Sequence, residues 1–420
     1  MPNQRFYIYS IEGDGSALAW RLLAEGYQVV WYCEDSFMRQ NLKGIVEHVV
    51  SKPRMSDVVV FDSVGAGIYA DTLRNAGDAV IGANPLADRL ELDRAYAMEL
   101  ATELEILVPP SHSFTSISEG IEFVSWSKTK RWVFKPSGNE DCSFTYCAKD
   151  ETDMISMLLH FQAMLGEQCD YILQEFIEGQ CISTEGWFDG EDWIAGAWNS
   201  TIEAKELLSG SIGPKTGCSW CVVRAYDEVP LLARELHLKL TDTLREACYI
   251  GPWDCNAIVT DDSHIYLLEH TPRFGYDAIE AYSSLLQMPL GEALIKLAEQ
   301  DTALWPVDTS SYAAALRLSV PPYPFGNKDH PAESGLPIRF QIEDEGHLWF
   351  TGVELRKRKL VSAPSDGMIG VVVAAGFDAC HTVKEIARRI AIPNLMWRDD
   401  CQASVLEANI ASNLATPSTM

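Results

Sequence analysis

The stretch that most constrains this fold is residues 251–277, GPWDCNAIVTDDSHIYLLEHTPRFGYD. Two apolar runs, 253–259 and 265–268, flank the polar tetrapeptide Asp261-Asp262-Ser263-His264, a pattern that predicts a β-hairpin. With the turn centred between Asp262 and Ser263, Asn256 lies opposite Glu269 and Asp254 opposite Thr271. Side chains alternate faces along a strand. These four oxygen-bearing side chains therefore share one face, and Trp253, Cys255 and Leu268 take the other. Oxygen ligands on a sheet suit a hard cation such as Mg²⁺, which takes a few carboxylates and leaves its other positions to water and phosphate. Arg273 follows, a planar fork suited to a carboxylate or phosphate. A solvated hairpin face with a polar exit loop is the alternative reading of the same residues.

At 420 residues the chain exceeds one ordinary core, and its length suggests roughly two to four domains. A net charge of -27 disfavours nucleic acid and acidic membrane partners, because phosphate binding needs a basic face. Any anionic substrate must then be met by a local basic site. The first ten residues, MPNQRFYIYS, lack the basic start, apolar segment and cleavage site of a signal peptide. No apolar run approaches the ~18 residues of a membrane span. The 11 cysteines are scattered, and Cys218 and Cys221 form a C-x-x-C without the second pair of a zinc site. Free thiols in a cytoplasmic protein are the expectation.

Read in order, residues 6–11 and 27–32 are strands around the tight turn Gly13-Asp14-Gly15 and a helix over 16–26. With strands at 57–62 and 79–81 and a helix at 68–76, they make a Rossmann-like α/β layer. The G-x-G lacks a third glycine, so a βαβ unit with no ligand explains it as well as a nucleotide or nicotinamide site does. A helix over 87–103 follows. Residues 131–136, RWVFKP, form a strand ending in Lys135 beneath the loop 137–141, one way to grip nucleotide phosphates; a solvated strand-end lysine is the alternative. Residues 151–165 read as a helix and 171–177, YILQEFI, as a strand. Residues 181–188 and 192–199 form a hairpin at Asp189-Gly190. Residues 203–219, rich in Gly, Ser and Lys, read as either a mobile substrate loop or a connector. Helices over 230–247, 277–286 and 290–299 frame the hairpin. A small α+β unit closes the chain, with strands at 312–320, 339–342, 348–350, 360–363 and 368–375 and a helix at 383–390; residues 402–420 read as a frayed tail.

This order of parts resembles the ATP-grasp ligases, and among them the glycinamide ribonucleotide synthetases (phosphoribosylamine–glycine ligases). The resemblance runs from about Phe6 to Asp400 and rests on SALAWRL (16–22), LQEFIEG (173–179), GPKTG (213–217), LLEHTPRFG (267–275) and WRDD (397–400). It implies an N-terminal Rossmann-like (pre-ATP-grasp) domain over 1–86 and a two-lobed α+β ATP-grasp domain over 87–303 with a lobe break near 171–179. A small C-terminal α+β domain over 304–401 would follow. It implies ATP and Mg²⁺, with Mn²⁺ as a substitute. Lys135 would contact the ATP phosphates, and Gln174, Glu175, Phe176 and Ile177 would form the adenine hinge. Glu269 would bind the metal with Asn256 and Thr271. Arg273 would orient the reacting carboxylate, and Gly13, Gly15, Lys215, Thr216 and Gly217 would contact substrate. The implied reaction joins a glycine-like carboxylate to an amine through an acyl phosphate, as in purine biosynthesis, in a cytoplasmic monomer or homodimer. The loops 137–141 and 208–217 would be its lids.

Several positions depart from the family pattern. Thr271 stands where the family has an asparagine, and Cys181 where it has a ribose-contacting acid. A second phosphate-loop lysine is absent, and Glu140 and Asp141 occupy that loop. The first loop reads Gly13-Asp14-Gly15-Ser16 instead of Gly-Gly-Arg-Glu-His, which removes an arginine and adds an acid where a sugar phosphate would bind. A ligase joining a different amine, and a non-catalytic nucleotide-binding protein on the same fold, are the alternatives these departures leave open.

Overall fold

Five short segments, four of them apolar, pair in parallel to open the chain: β1 (Arg5–Ser10), β2 (Gln28–Cys33), β3 (Glu47–His48), β4 (Asp57–Phe61) and β5 (Ala79–Ile81), in the order β3-β2-β1-β4-β5. The structure is a computed structural model that describes residues 4–49, 52–54, 57–129, 131–137, 144–301 and 304–403. β4, DVVVF, is buried along its whole length, as a strand covered on both faces must be. Helices α1 (Ser16–Ala24) and α2 (Gly67–Asn75) provide crossovers. The expected helix over 87–103 is two helices, α3 (Pro85–Leu92) and α4 (Arg94–Glu103). Asp93 leaves helical geometry between them (φ -104°, ψ 88°), and its carboxylate accepts the Tyr96 N–H and caps α4.

The next layer is the antiparallel sheet β6-β9-β7-β8, built from β6 (Ser111–Ser116), β7 (Trp132–Pro136), β8 (Tyr146–Cys147) and β9 (Gln168–Glu175). Helices α5 (Ile117–Trp126) and α6 (Glu151–Leu165) cover it, with Val124, Met154, Leu158 and Phe161 packed on Trp132, Phe134 and Tyr171. β6, SHSFTS, carries one large apolar residue, so its sequence gives no strand signal.

The rest of the chain builds an eight-stranded sheet, β14-β13-β10-β11-β12-β15-β19-β16. Its members are β10 (Gln180–Asp189), β11 (Trp193–Leu208), β12 (Ile212–Tyr226), β13 (Ile250–Val259), β14 (Ile265–Thr271), β15 (Ala313–Ser319), β16 (Leu348–Phe350) and, after a separate ribbon β17 (Val353–Arg356) and β18 (Lys359–Ser362), β19 (Met368–Ala375). Between β12 and β13 the expected single helix over 230–247 is α7 (Leu231–Leu236) and α8 (Thr241–Glu246), joined by a short 3-10 turn. Helices α9 (Ala278–Ser283), α10 (Leu290–Ala298) and α11 (Ala379–Arg389) complete the layer. β15 pairs with β12, so the sheet runs unbroken past residue 304. The strand expected at 339–342 is a single bridge from Arg339 to Ala391 followed by a 3-10 turn over Ile342–His347.

Residues 203–219 are not a loop. They are the outer half of the β11–β12 hairpin, and residues 398–400 hold its tip. Ser209 Oγ donates to Asp399 at 2.8 Å, and the Gly210 N–H donates to Asp400 at 2.8 Å. Arg398 donates to the Glu206 carbonyl at 2.7 Å and to Asp400. No helix among the described residues is long and apolar enough to cross a membrane.

His237, at the end of α7, is buried edge-on to Trp193 and Trp198, and its Nε2 lies 3.0 Å from the Trp253 carbonyl. Burial pushes its pKa down to about 4. In the unfolded chain histidine titrates near ~6.5. As pH falls from ~6.5 towards 4, only the unfolded state gains this proton, so stability is lost across that window, by at most about 3 kcal/mol. His237→Phe is expected to be less stable at neutral pH, because the Trp253 carbonyl loses its partner. It should also show a shallower loss of urea midpoint on acidification; an unchanged slope would remove His237 as a cause.

Candidate active site

β13 and β14 pair antiparallel, with Asp254 opposite Thr271 and Asn256 opposite Glu269, the register expected from the turn. Past Asn256 the ladder slips. Ala257 pairs with Leu267, so Leu268 is an extra, bulged residue. The bulge corrects the expected facing: Leu267 joins Trp253 and Cys255 in the core, and Leu268 lines a small cleft beside Glu269. The Leu268 carbonyl accepts a hydrogen bond from Lys135 Nζ at 3.0 Å.

Three cations face Glu269. Arg94, at the head of α4, donates Nη1 to Glu269 Oε2 at 2.9 Å and Nε to the Pro136 carbonyl at 2.9 Å. Lys135 is buried at the end of β7. Lys205, on β11, is ion-paired to Glu203 at 2.9 Å. Asn256 Nδ2 donates to Glu269 Oε1 at 3.3 Å. Burial alone would push the Glu269 carboxyl up, but Arg94, Lys135 and Lys205 outweigh it and hold it at about 2. Burial lowers Lys135 to about 8 against the pull of Glu269. Sequence reasoning missed Arg94 and Lys205. The capping pair Asp93-Arg94 was the only local signal for the first, and alternation along β11 the only one for the second.

Thr271 does not turn toward Glu269: its hydroxyl donates to Asp254 Oδ2 at 2.8 Å and to the Asp254 carbonyl at 3.1 Å. Asp254 is itself buried, and burial pushes its carboxyl well up. Among the described residues no cluster of three or more His, Cys, Asp or Glu could hold a metal ion. Glu269 and the side-chain oxygen of Asn256 remain. That pair fits an Mg²⁺ that arrives with nucleotide phosphates and water, not a metal caged by protein.

Of the residues expected to form the hinge, Gln174 reaches the same cleft, which Glu91, Arg94, Met98, Ile172, Leu268 and Glu269 line. The buried Gln174 side chain points to Met98 Sδ at 3.7 Å. β9 ends at Glu175, whose N–H donates to the Pro110 carbonyl at 2.8 Å and whose carboxylate accepts the Thr129 hydroxyl. The Phe176 N–H donates to the Arg131 carbonyl at 3.1 Å, and its ring lies 3.5 Å beneath the Arg131 guanidinium. Ile177 lies half-buried beyond the strand.

Arg273 is brought to the same region by Glu91 of α3, which accepts its Nε at 3.0 Å. That carboxylate holds the guanidinium above its ordinary value. The other implied substrate residues lie elsewhere. Lys215 is exposed on β12 opposite Glu206, Thr216 Oγ1 donates to the Lys205 carbonyl at 2.8 Å, and Gly217 is exposed. The lysine of this hairpin whose charge reaches Glu269 is Lys205. In the first turn the Gly13 N–H donates to Ser10 Oγ at 2.9 Å and the Gly15 N–H to the Asp62 carboxylate, so these two amides serve the turn itself. A Cβ at Gly15 would lie 2.8 Å from Asp62 Oδ2. Of the loop 137–141, only Ser137 is among the described residues.

No protein-family model and no curated protein matches the chain. Solved structures do. Phosphoribosylamine–glycine ligase from Thermotoga maritima matches with a TM-score of 0.72 at 19% identity, over 94% of this chain and 99% of that one. The biotin carboxylase domain of 2-oxoglutarate carboxylase from Hydrogenobacter thermophilus, solved with MgADP, ADP and bicarbonate, matches with a TM-score of 0.62 at 12% identity, over 93% and 91%. Phosphoribosylglycinamide synthetase from Anaerococcus prevotii matches with a TM-score of 0.58 at 13% identity, over 93% and 99%. The chain has the ATP-grasp fold. Within that class, its arrangement is similar to that of phosphoribosylamine–glycine ligase over 94% of its length.

Proposed function

We propose that the chain is an ATP-dependent, ADP-forming carboxylate–amine ligase. The observation that carries this reading is the convergence of Arg94, Lys135 and Lys205 on one carboxylate beside a cleft, on the ATP-grasp fold. A substrate carboxylate attacks the γ-phosphate of ATP, and charge spreads over the transferring phosphoryl oxygens. Arg94, Lys135 and Lys205 are preorganised donors for that charge. Mg²⁺ held at Glu269 and Asn256, or Mn²⁺ in its place, would supply Lewis-acid neutralisation of the phosphates. The 174–177 segment reads adenine, and Arg273 orients the carboxylate. An amine then attacks the acyl carbon of the acyl phosphate, forming the amide bond and releasing inorganic phosphate, so no covalent enzyme nucleophile is required. In the finer reading the carboxylate is glycine and the amine phosphoribosylamine, in cytoplasmic purine biosynthesis. The units 1–86, 87–303 and 304–401 would be its functional domains.

The test is ADP and phosphate release from MgATP with glycine and phosphoribosylamine generated in situ, beside a panel of other amino acids and amines. Release that needs both family substrates supports the finer reading. Release with another pair supports the ligase and replaces its substrates. ATP binding without release for any pair favours a non-catalytic protein. Lys135→Ala is expected to raise the ATP requirement by about tenfold to a hundredfold, the loss of a charge-assisted phosphate contact. Unmoved ATP affinity would return Lys135 to a structural role on the Leu268 carbonyl.

A further inference from the structure

The cleft beside Glu269 holds a donor and an acceptor that do not meet. Glu91, next to last in α3, and Arg94, first in α4, both line it across the break at Asp93. Glu91 accepts Arg273 Nε on Oε1 at 3.0 Å. Its Oε2 is buried and, among the described residues, has no hydrogen-bond partner. Burial pushes the Glu91 carboxyl above its ordinary value although Arg273 and Arg94 pull it down, as expected of a buried carboxylate short of donors. Arg94 gives Nη1 to Glu269 Oε2 and Nε to the Pro136 carbonyl, both at 2.9 Å. Among the described residues, Arg94 Nη2 has no acceptor.

A guanidinium carries five N–H donors in a fixed fork, so Arg94 can serve different acceptors on different edges at once. Glu269 is the carboxylate that would hold Mg²⁺, and a carboxylate that holds a divalent cation has less to offer a guanidinium. Arg94 is largely buried, with 14% of its side chain accessible, and a buried guanidinium without a counter-ion is costly. The unpartnered acceptor in the same cleft is Glu91 Oε2.

We propose that Glu91 is a positioning residue for both arginines of the site: it holds Arg273 through Oε1 and takes Arg94 through Oε2 when a metal occupies Glu269. Arg94 then keeps Nη1 for the nucleotide phosphates, while Glu91 fixes its other edge. The inference rests on the ligase reading above and adds a residue that acts through Arg94 without touching the nucleotide.

The test is calorimetric titration of the full chain with ATP, once with excess Mg²⁺ and once with a chelator, read as the ratio of the two affinities. Glu91→Gln is expected to lower that ratio by about tenfold, the difference between a charged and a neutral acceptor for Arg94. In an Arg94→Gln background the same substitution is expected to leave the ratio where Arg94→Gln alone puts it, because the two side chains act as one unit. Arg94→Lys keeps the charge and loses the fork, so it too is expected to lower the ratio, and it keeps the test valid should Glu91→Gln disturb folding. A merely structural Glu91 would shift both affinities together, and an unmoved ratio would overturn the proposal. A fall in the ratio that persists without Arg94 would also overturn it, as would an Arg94→Lys ratio equal to that of the parent. Absence of ATP binding by the parent under both conditions would count against the ligase reading and take the proposal with it. ATP binding with any of the other overturning results would count against the role of Glu91 alone.

Discussion

Glu269→Gln is expected to lower MgATP turnover by about a hundredfold or more while the chain stays folded. The substitution keeps the shape and removes the carboxylate that Arg94, Lys135 and Lys205 share. It thereby removes the anionic ligand proposed for a nucleotide-borne Mg²⁺ and a counter-ion shared by the three cations, of which Lys205 keeps Glu203. The folding cost should be modest, about 1–3 kcal/mol, because 31% of the Glu269 side chain is accessible and water can solvate the released Arg94. Metal-free ATP should bind as well as before or better, since the phosphates inherit the freed cations. The measurement is turnover together with ATP affinity, with and without Mg²⁺. Unchanged turnover would remove Glu269 as the metal residue. Loss of both turnover and metal-free ATP binding would make it a structural counter-ion only.

Asp277→Asn is expected to destabilise the protein by about 3–5 kcal/mol, the cost of leaving a buried guanidinium without its carboxylate. Asp277 is inaccessible and Arg317 nearly so. Their two hydrogen bonds tie β15 to the segment just after Arg273, and Arg317 also donates to the Tyr323 hydroxyl at 2.7 Å. Replacing both partners by apolar residues, Asp277→Leu with Arg317→Met, should recover much of the loss, because no unpaired buried charge remains. Urea unfolding of the single and double variants checks this. A single variant as stable as the parent would mean that water already reaches the pair.

The β13–β14 hairpin was legible in the chain at the pairs Asp254–Thr271 and Asn256–Glu269, though not nearer the turn, where the bulge at Leu268 shifts the ladder. Its period is two, its turn is short, and Asn256 and Glu269 are only 13 residues apart. Four of the five parallel N-terminal strands were legible as apolar runs between glycine-marked turns; β3, the polar pair Glu47–His48, was not. Local pattern misled where its period continued or broke without an outward sign. The bulge at Leu268, the break at Asp93 and the β11–β12 hairpin read as a loop are of this kind.

The site itself was assembled by contacts that no local pattern carries. Arg94 meets Glu269 across 175 residues, Arg273 meets Glu91 across 182, and Lys135 meets the Leu268 carbonyl across 133. The same holds for Asp62 under Gly15, 47 residues away, which turns an apparent anion-binding turn into an acidic one. By itself the sequence determined the strands that carry an apolar run or a clean alternation and the chemical types available to a site, because those follow from backbone periodicity. Which charges neutralise one another, and which are left for a ligand, was decided by tertiary structure. Electrostatic energy depends on distance and burial, and the packing of whole layers sets both.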